Sequence, residues 1–250
     1  MKLSPFIRDI VTTTVTSFLT IIALVVVTRL LAEGLGPEGF GAYSLARRIL
    51  STVDPFSTVL MGVAVTRFVA LTRETRTQYA FLVAGIILGV IPSMGIFLFG
   101  YSLKSKITLL VFHSESYMRL MLATLIMIVC YSFFVVLYGF YRGMGRMEKA
   151  NVWQLGVIGI GPVIIAWVFA DSGQVDTIIL LMAILLGSSI RPLAFHTVRA
   201  FNESLTFIEI RRSAMELFRY GFPRVPGGVV FAGLLAIGPF LAPYFGTLKD

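Results

Sequence analysis

MRLMLATLIMIVCYSFFVVLYGFY, residues 118–141, runs for twenty-four residues with a single charge, Arg119, at its edge. As a helix it would span about 36 Å, enough to cross a hydrocarbon core of roughly 30 Å. A surface helix of a soluble protein keeps a charged stripe opposite its apolar one, and this stretch has none.

The rest of the chain repeats the pattern. Of 250 residues, 57% are hydrophobic and 14% charged, against roughly 25% charged in soluble domains, and the mean hydropathy is +0.88. Spans are expected at 10–32, 44–71, 79–103, 118–141, 151–170, 175–197 and 222–245. The predicted fold is therefore an all-α integral membrane protein of about seven transmembrane helices. The second span contains Asp54 and Pro55 and is expected to be broken or cavity-lining, because a neighbouring helix must satisfy the freed backbone.

The first span lacks a small-residue cleavage site and reads as a retained helix rather than a signal peptide. The net charge of +8 is not a nucleic-acid footprint, since the basic residues sit in short loops between spans. With the N-terminus in the cytoplasm, fourteen of the 21 Lys and Arg fall on the inner side and seven on the outer, the asymmetry that orients a protein in the cell membrane. The loop at 171–176 has no basic residue, as an outer turn should. The lone Cys130 excludes an intramolecular disulfide.

Between Phe207 and Tyr220, Phe207, Ile210, Ala214, Leu217 and Phe218 recur at helical spacing. Arg211, Arg212, Glu216 and Arg219 are expected on the opposite face. A basic amphipathic helix of this kind lies in the membrane interface. Leu31-Ala32-Glu33-Gly34-Leu35-Gly36 and Leu241-Ala242-Pro243-Tyr244-Phe245-Gly246 share Leu, Ala and Gly in register, a trace of the repeats from which transporters are built. The organisation expected is a six-helix lobe over 1–200, a linker helix over 201–221, and over 222–250 the first helix of a second lobe otherwise absent from this chain.

Three stretches carry a family resemblance: VTRLLAEGLGPEGFGAYSLA (27–46), YRGMGRMEKANVWQL (141–155) and RYGFPRVPGGV (219–229). Together they resemble the polysaccharide-biosynthesis or oligosaccharide flippase (Wzx-type) family of the MOP (MATE-like) exporter superfamily, in its N-terminal half. The resemblance implies two lobes around a central cavity and cargo consisting of lipid-diphosphate-linked oligosaccharide, moved between leaflets. It implies no enzyme chemistry and no cofactor, beyond a coupling H+ or Na+.

Gly36 and Pro37 are expected to stop the first span, with Gly39 and Gly41 supplying positive φ for a tight re-entry. This turn is either a plain hairpin or a gate at the outer mouth. Ionisable residues inside a span are functional candidates by default. Arg47, Ser51, Asp54 and Thr58 recur along one helical face, with Arg48 beside it and Arg29 near the outer end of span one. Thr13, Ser17 and Thr20 make a second polar stripe expected to line the same water-filled cavity. Guanidinium forks suit a phosphate and hydroxyls suit sugars. Asp54 is expected to pair with Arg47 or to bind a coupling ion. The alternative is that Arg29, Arg47 and Arg48 snorkel to outer headgroups with Asp54 as their counter-charge.

Arg142, Arg146 and Lys149 read as topology determinants, and Trp153 and Trp167 as interface anchors. His113 and His196 stand apart, without ligand spacing for a metal. No phosphate-binding glycine loop or nucleophile elbow is present. Two rivals remain: an ion-coupled antiporter of small molecules in the same superfamily, and an integral-membrane glycosyltransferase or ligase.

Overall fold

In a computed structural model, residues 5–234 of the chain are described, and they are helical nearly throughout. Five helical stretches are long and apolar enough to cross a membrane: Ile7–Ser57, Thr75–Ser102, Glu115–Gly143, Met147–Ser172 and Val175–Asn202, with Met61–Leu71 a shorter apolar helix. The chain is an all-α, multi-pass membrane protein.

The first stretch cannot be one crossing. Its 51 residues would reach about 77 Å if straight, more than twice a hydrocarbon core. It is two helices joined at Gly36, whose φ of 67° and ψ of 177° are not helical. Span one is 5–35 and span two starts at 37. At one end of the bundle, the first face, Arg8 pairs with Glu148 at 3.4 Å. At the opposite end, the second face, Tyr117 donates to Glu38, and a Cβ on Gly34 would strike Ala170. The chain then returns, for Val69 of span two lies against Gly143 near the first face.

The reversal at Gly36 is tighter than the expected loop. Gly36 alone takes positive φ there, and Pro37, Gly39 and Gly41 are already helical. Gly39 serves instead for close packing, its would-be Cβ 3.0 Å from Leu35 and 3.5 Å from Val175.

Span two is broken as the Asp54-Pro55 pair predicts. Its helix ends at Ser57, Val59 and Leu60 adopt left-handed φ of 47° and 54°, and Met61–Leu71 resumes it. A β-branched valine in that region costs on the order of 1–3 kcal/mol and persists only where its surroundings hold it. Thr58 bonds back to Asp54, and Gly221, at the end of the helix Phe207–Gly221, brings that helix so close that a Cβ there would lie 2.5 Å from the Val59 carbonyl oxygen.

Span four, Met118–Gly143, is the central pillar, packed by spans two, three and six. Below the break its seam with span two is made of small residues. A Cβ on Gly139 would sit 2.5 Å from the Gly62 carbonyl oxygen, one on Gly62 would sit 2.7 Å from Val135, and one on Gly143 would sit 2.7 Å from Val69. Gly139 and Gly143, four apart, let the backbones approach as small residues do between membrane helices. Thr66 closes the seam, donating to Gly62 O at 2.7 Å and across it to Gly139 O at 3.1 Å.

Buried apolar residues form two clusters, one toward the second face around Leu31, Ile128, Ile178 and Ile179, the other toward the first face around Met61, Leu82, Leu137 and Phe140. Phe18, Val25, Leu98 and Trp167 point outward, where lipid would meet them. Trp153 is half-buried and donates to Ser189 Oγ at 2.9 Å.

The linker helix, Phe207–Gly221, begins with a capping box of Thr206 and Glu209, and Arg76 bonds Glu209 at 2.9 Å and the Ser204 carbonyl. Its faces differ from the expected division. Ser213, Leu217 and Gly221 are buried, with Ile210 and Ala214 beside them, whereas Phe207, Ile208, Met215 and Phe218 share the exposed arc with Arg211, Arg212 and Arg219. The outward face mixes aromatic and basic groups, the composition of an interfacial surface. After it, 225–234 is helical. The rest of the expected seventh span, and the repeat at 241–246, lie outside the described residues.

Candidate functional site

Spans two, four, five and six, with the linker helix and the start of the next helix, enclose a cavity of about 990 Å³. Its walls follow from periodicity. On span four, Met127, Tyr131, Phe134, Val135, Tyr138 and Arg142 line it, a stripe at three- and four-residue steps on one helical face. Span five contributes Gln154, Val157, Ile158 and Pro162 where its helix widens into a π-turn over Leu155–Ile160, a feature frequent at functional sites. Gly228, Phe231 and Ala232 close the side beyond the linker.

Arg47, Arg48, Ser51 and Asp54 all line the cavity. Arg47 and Arg48 lie about 16 Å along the helix from Gly36, well inside the bundle. Arg47 donates to the Tyr43 hydroxyl at 3.3 Å. The expected Arg47–Asp54 pair is not formed. Asp54 instead accepts from Thr58, whose hydroxyl lies 3.1 Å from Oδ1 and 3.0 Å from the Asp54 carbonyl, because the break turns Thr58 back on the preceding turn. Thr58 is buried in that knot rather than on the cavity wall. Ser51 donates to the Arg48 carbonyl.

Arg29 is elsewhere. It is exposed and paired with Glu33 at 2.8 Å, one turn on. The Thr13–Thr20 stripe does not reach the cavity either. Asn151 donates to Thr13 at 3.2 Å and Thr20 is buried near Gly159, so this polar face joins spans one and five. Gly36, Pro37 and Gly39 form the second-face reversal.

Two further arginines line the cavity, Arg67 and Arg142, the second of which the sequence assigns to topology. Arg67 lies 4.6 Å above the Tyr220 ring, and Arg224 lies 3.6 Å from its centroid. A hydrogen bond from Arg67 holds the Tyr220 phenol below its usual pKa, and the charges of Arg224 and Arg67 add to this against the opposing effect of burial. Arg142 sits 5.5 Å over Tyr138, whose hydroxyl donates to Gln154 Oε1 at 2.7 Å. The signal that finds this set is the 131–134–138–142 stripe, an aromatic face ending in an arginine one turn before the loop.

Electrostatically the cavity is lopsided. Four guanidiniums line it with one carboxylate, Asp54, and among the described residues none of the four has a carboxylate within 4.0 Å, every ion pair found lying elsewhere. Charges held in a low-dielectric cleft attract an opposite charge far more strongly than in water. Among the described residues no three His, Cys, Asp or Glu side chains gather as a metal site.

A helical membrane bundle around a cationic, aromatic-lined cleft defines the class. The particular family follows from its sequence: the chain matches the family model of polysaccharide biosynthesis proteins over residues 6–232 and belongs to that family. No curated protein and no solved structure matches it.

Proposed function

We propose that this chain is part of a flippase that carries a lipid-diphosphate-linked oligosaccharide across the cell membrane for surface glycan assembly, by alternating access, and that it is not an enzyme. The observation that carries this is the set of four arginines around one cleft with no acidic partner among the described residues. A diphosphate is an anion that such forks bind bidentately, and aromatic walls with Gln154 and Thr66 suit sugar faces and hydroxyls. A cationic cargo, as in drug antiport, would meet repulsion from four guanidiniums.

In this reading 1–200 is the N-terminal lobe, 201–221 the linker and the helix from 222 the start of a second lobe that completes the cavity. Arg47 and Arg48 hold the diphosphate, with Ser51 and Asp54 beside them, while Arg29 and Thr58 act only through the fold. Gly36, Pro37 and Gly39 form a hairpin that closes the second-face end. The first face is cytoplasmic, N-terminus included, because it gathers Arg8, Arg76, Arg142, Arg146 and the linker arginines. A coupling H+ or Na+ is left to Asp54.

The test is reconstitution in vesicles with a fluorescent polyprenyl-diphosphate sugar. Arg47→Ala should slow translocation at least tenfold while the protein stays folded. Undiminished translocation in that variant would remove Arg47 from the site.

A further inference from the structure

The four cavity arginines form two groups separated by the break in span two. Arg47 and Arg48 precede it, and Tyr131 of span four lies within electrostatic reach of Arg47 and Asp54. Arg67 follows it, and meets Arg142 at one level, since Thr66 bonds Gly139 and Val69 packs on Gly143. Arg142 reaches back only as far as Tyr138. From Tyr131 to Tyr138 a helix rises about 10 Å, and Arg47 extends the other way, toward Tyr43. The two groups therefore sit at different levels of the cavity.

The second group is built to receive an anion. Each guanidinium rests on a tyrosine ring, Arg67 on Tyr220 and Arg142 on Tyr138, and a guanidinium carries several N–H donors, so that even with the Arg67 bond to the Tyr220 phenol each fork keeps donors for an anion. Both rings are fixed. Arg224 covers Tyr220 from its own helix and Phe68 meets it edge-on at 5.7 Å, while Gln154 holds the Tyr138 hydroxyl. The Arg142 Nε is buried with no hydrogen-bond partner among the described residues, a cost that a bound acceptor would relieve.

We propose that Arg67 and Arg142, with Gln154 beside them, form a second binding station for the diphosphate of a lipid diphosphate, at the first-face end of the cavity and distinct from the Arg47–Arg48 station. It rests on the transport reading and deepens it. The cargo headgroup is received at the mouth between Tyr138 and Tyr220, and passes the break to reach Arg47 and Arg48.

Native mass spectrometry and calorimetry of the full chain in phosphatidylcholine nanodiscs, with farnesyl diphosphate as probe, test this. The wild type should bind two per chain. Arg67→Gln with Arg142→Gln should leave one, with affinity at the lost station reduced at least tenfold. Arg47→Gln with Arg48→Gln should leave the other. The binding kept in each pair reports that the variant is folded. Should the double variant misfold, Arg142→Lys, which keeps the charge but not the fork, should still weaken one of the two events severalfold. A single event abolished by Arg47→Gln with Arg48→Gln and untouched by changes at Arg67 and Arg142 would overturn the second station and leave the transport reading standing. No binding by the wild type would overturn both. Inorganic pyrophosphate should compete at both stations. If phosphatidylglycerol in the nanodisc emptied only the Arg67–Arg142 station, that site would belong to membrane phospholipid and the cargo assignment would fall.

Discussion

Thr58 is folded back on Asp54, its hydroxyl donating to both the carbonyl and the carboxylate of that residue. This knot ends the first helix of span two and holds Val59 and Leu60 in left-handed conformation. Thr58→Val should therefore lower stability by about 1 kcal/mol, the net worth of a lost hydrogen bond, read as a lower melting temperature in detergent. Asp54→Asn keeps an acceptor for Thr58 and should leave melting nearly unchanged while slowing translocation. Equal melting of Thr58→Val and wild type would show that the break is held by packing alone.

The seam between spans two and four yields a sharper contrast. A Cβ at Gly139 would meet the Gly62 backbone at 2.5 Å, whereas one at Gly95 meets nothing within 4 Å. Gly139→Ala must push two helices apart and should cost about 1–3 kcal/mol. Gly95→Ala, in the interior of Thr75–Ser102, should be neutral or stabilise by up to about 1 kcal/mol. Thermal unfolding of both variants compares them directly, and equal effects would contradict the close approach.

These two sites also mark what a sequence makes legible. The apolar spans, the break at Asp54-Pro55 and the reversal at Gly36 are readable because each depends on local chemistry: length, proline and glycine. The Arg47–Arg48–Ser51–Asp54 stripe is readable for the same reason, being one face of one helix. Arg67 and Arg142 are not, for their place in the cavity depends on Gly62, Thr66, Gly139 and Gly143 drawing two distant segments together. Arg29 misleads because an exposed i,i+4 pair with Glu33 looks, in sequence, like an arginine buried in a span. The linker helix misleads because its arginines share an arc with Phe207 and Phe218, so the helical period alone does not reveal which side docks.

The cap of that linker helix, and through Arg76 its contact with Thr75–Ser102, should depend on pH. The Glu209 carboxyl is held below its usual range first by the Thr206 backbone N–H and then by the Thr206 hydroxyl, with Arg76 adding to them and burial opposing. A carboxylate depressed in the folded state binds fewer protons there than when unfolded. Its contribution is thus complete above the ordinary Glu pKa and disappears as pH falls through the lower folded value. A spin-label distance between the linker helix and Thr75–Ser102 should broaden on acidification in the wild type. Glu209→Gln should be broad already and indifferent to pH over that window.

The reversal at Gly36 supplies the last test, because space and backbone disagree there. Nothing lies within 4 Å of a Cβ built on Gly36, yet its φ of 67° with ψ of 177° falls in a region open essentially to glycine alone. Gly36→Ala should cost on the order of 1–3 kcal/mol from backbone strain, although it creates no clash. The strain has one cheap release: rotating residue 36 into the helical region, which would fuse 5–35 and 37–57 into a rod too long for the membrane. The Tyr117–Glu38 contact on the second face would then be lost. Cysteines placed at Glu38 and Tyr117 in a Cys130→Ser background should be joined readily by a short bifunctional thiol reagent when Gly36 is present and poorly in Gly36→Ala. Equal crosslinking would mean that packing at Gly34 and Gly39 holds the hairpin without the glycine's conformational freedom.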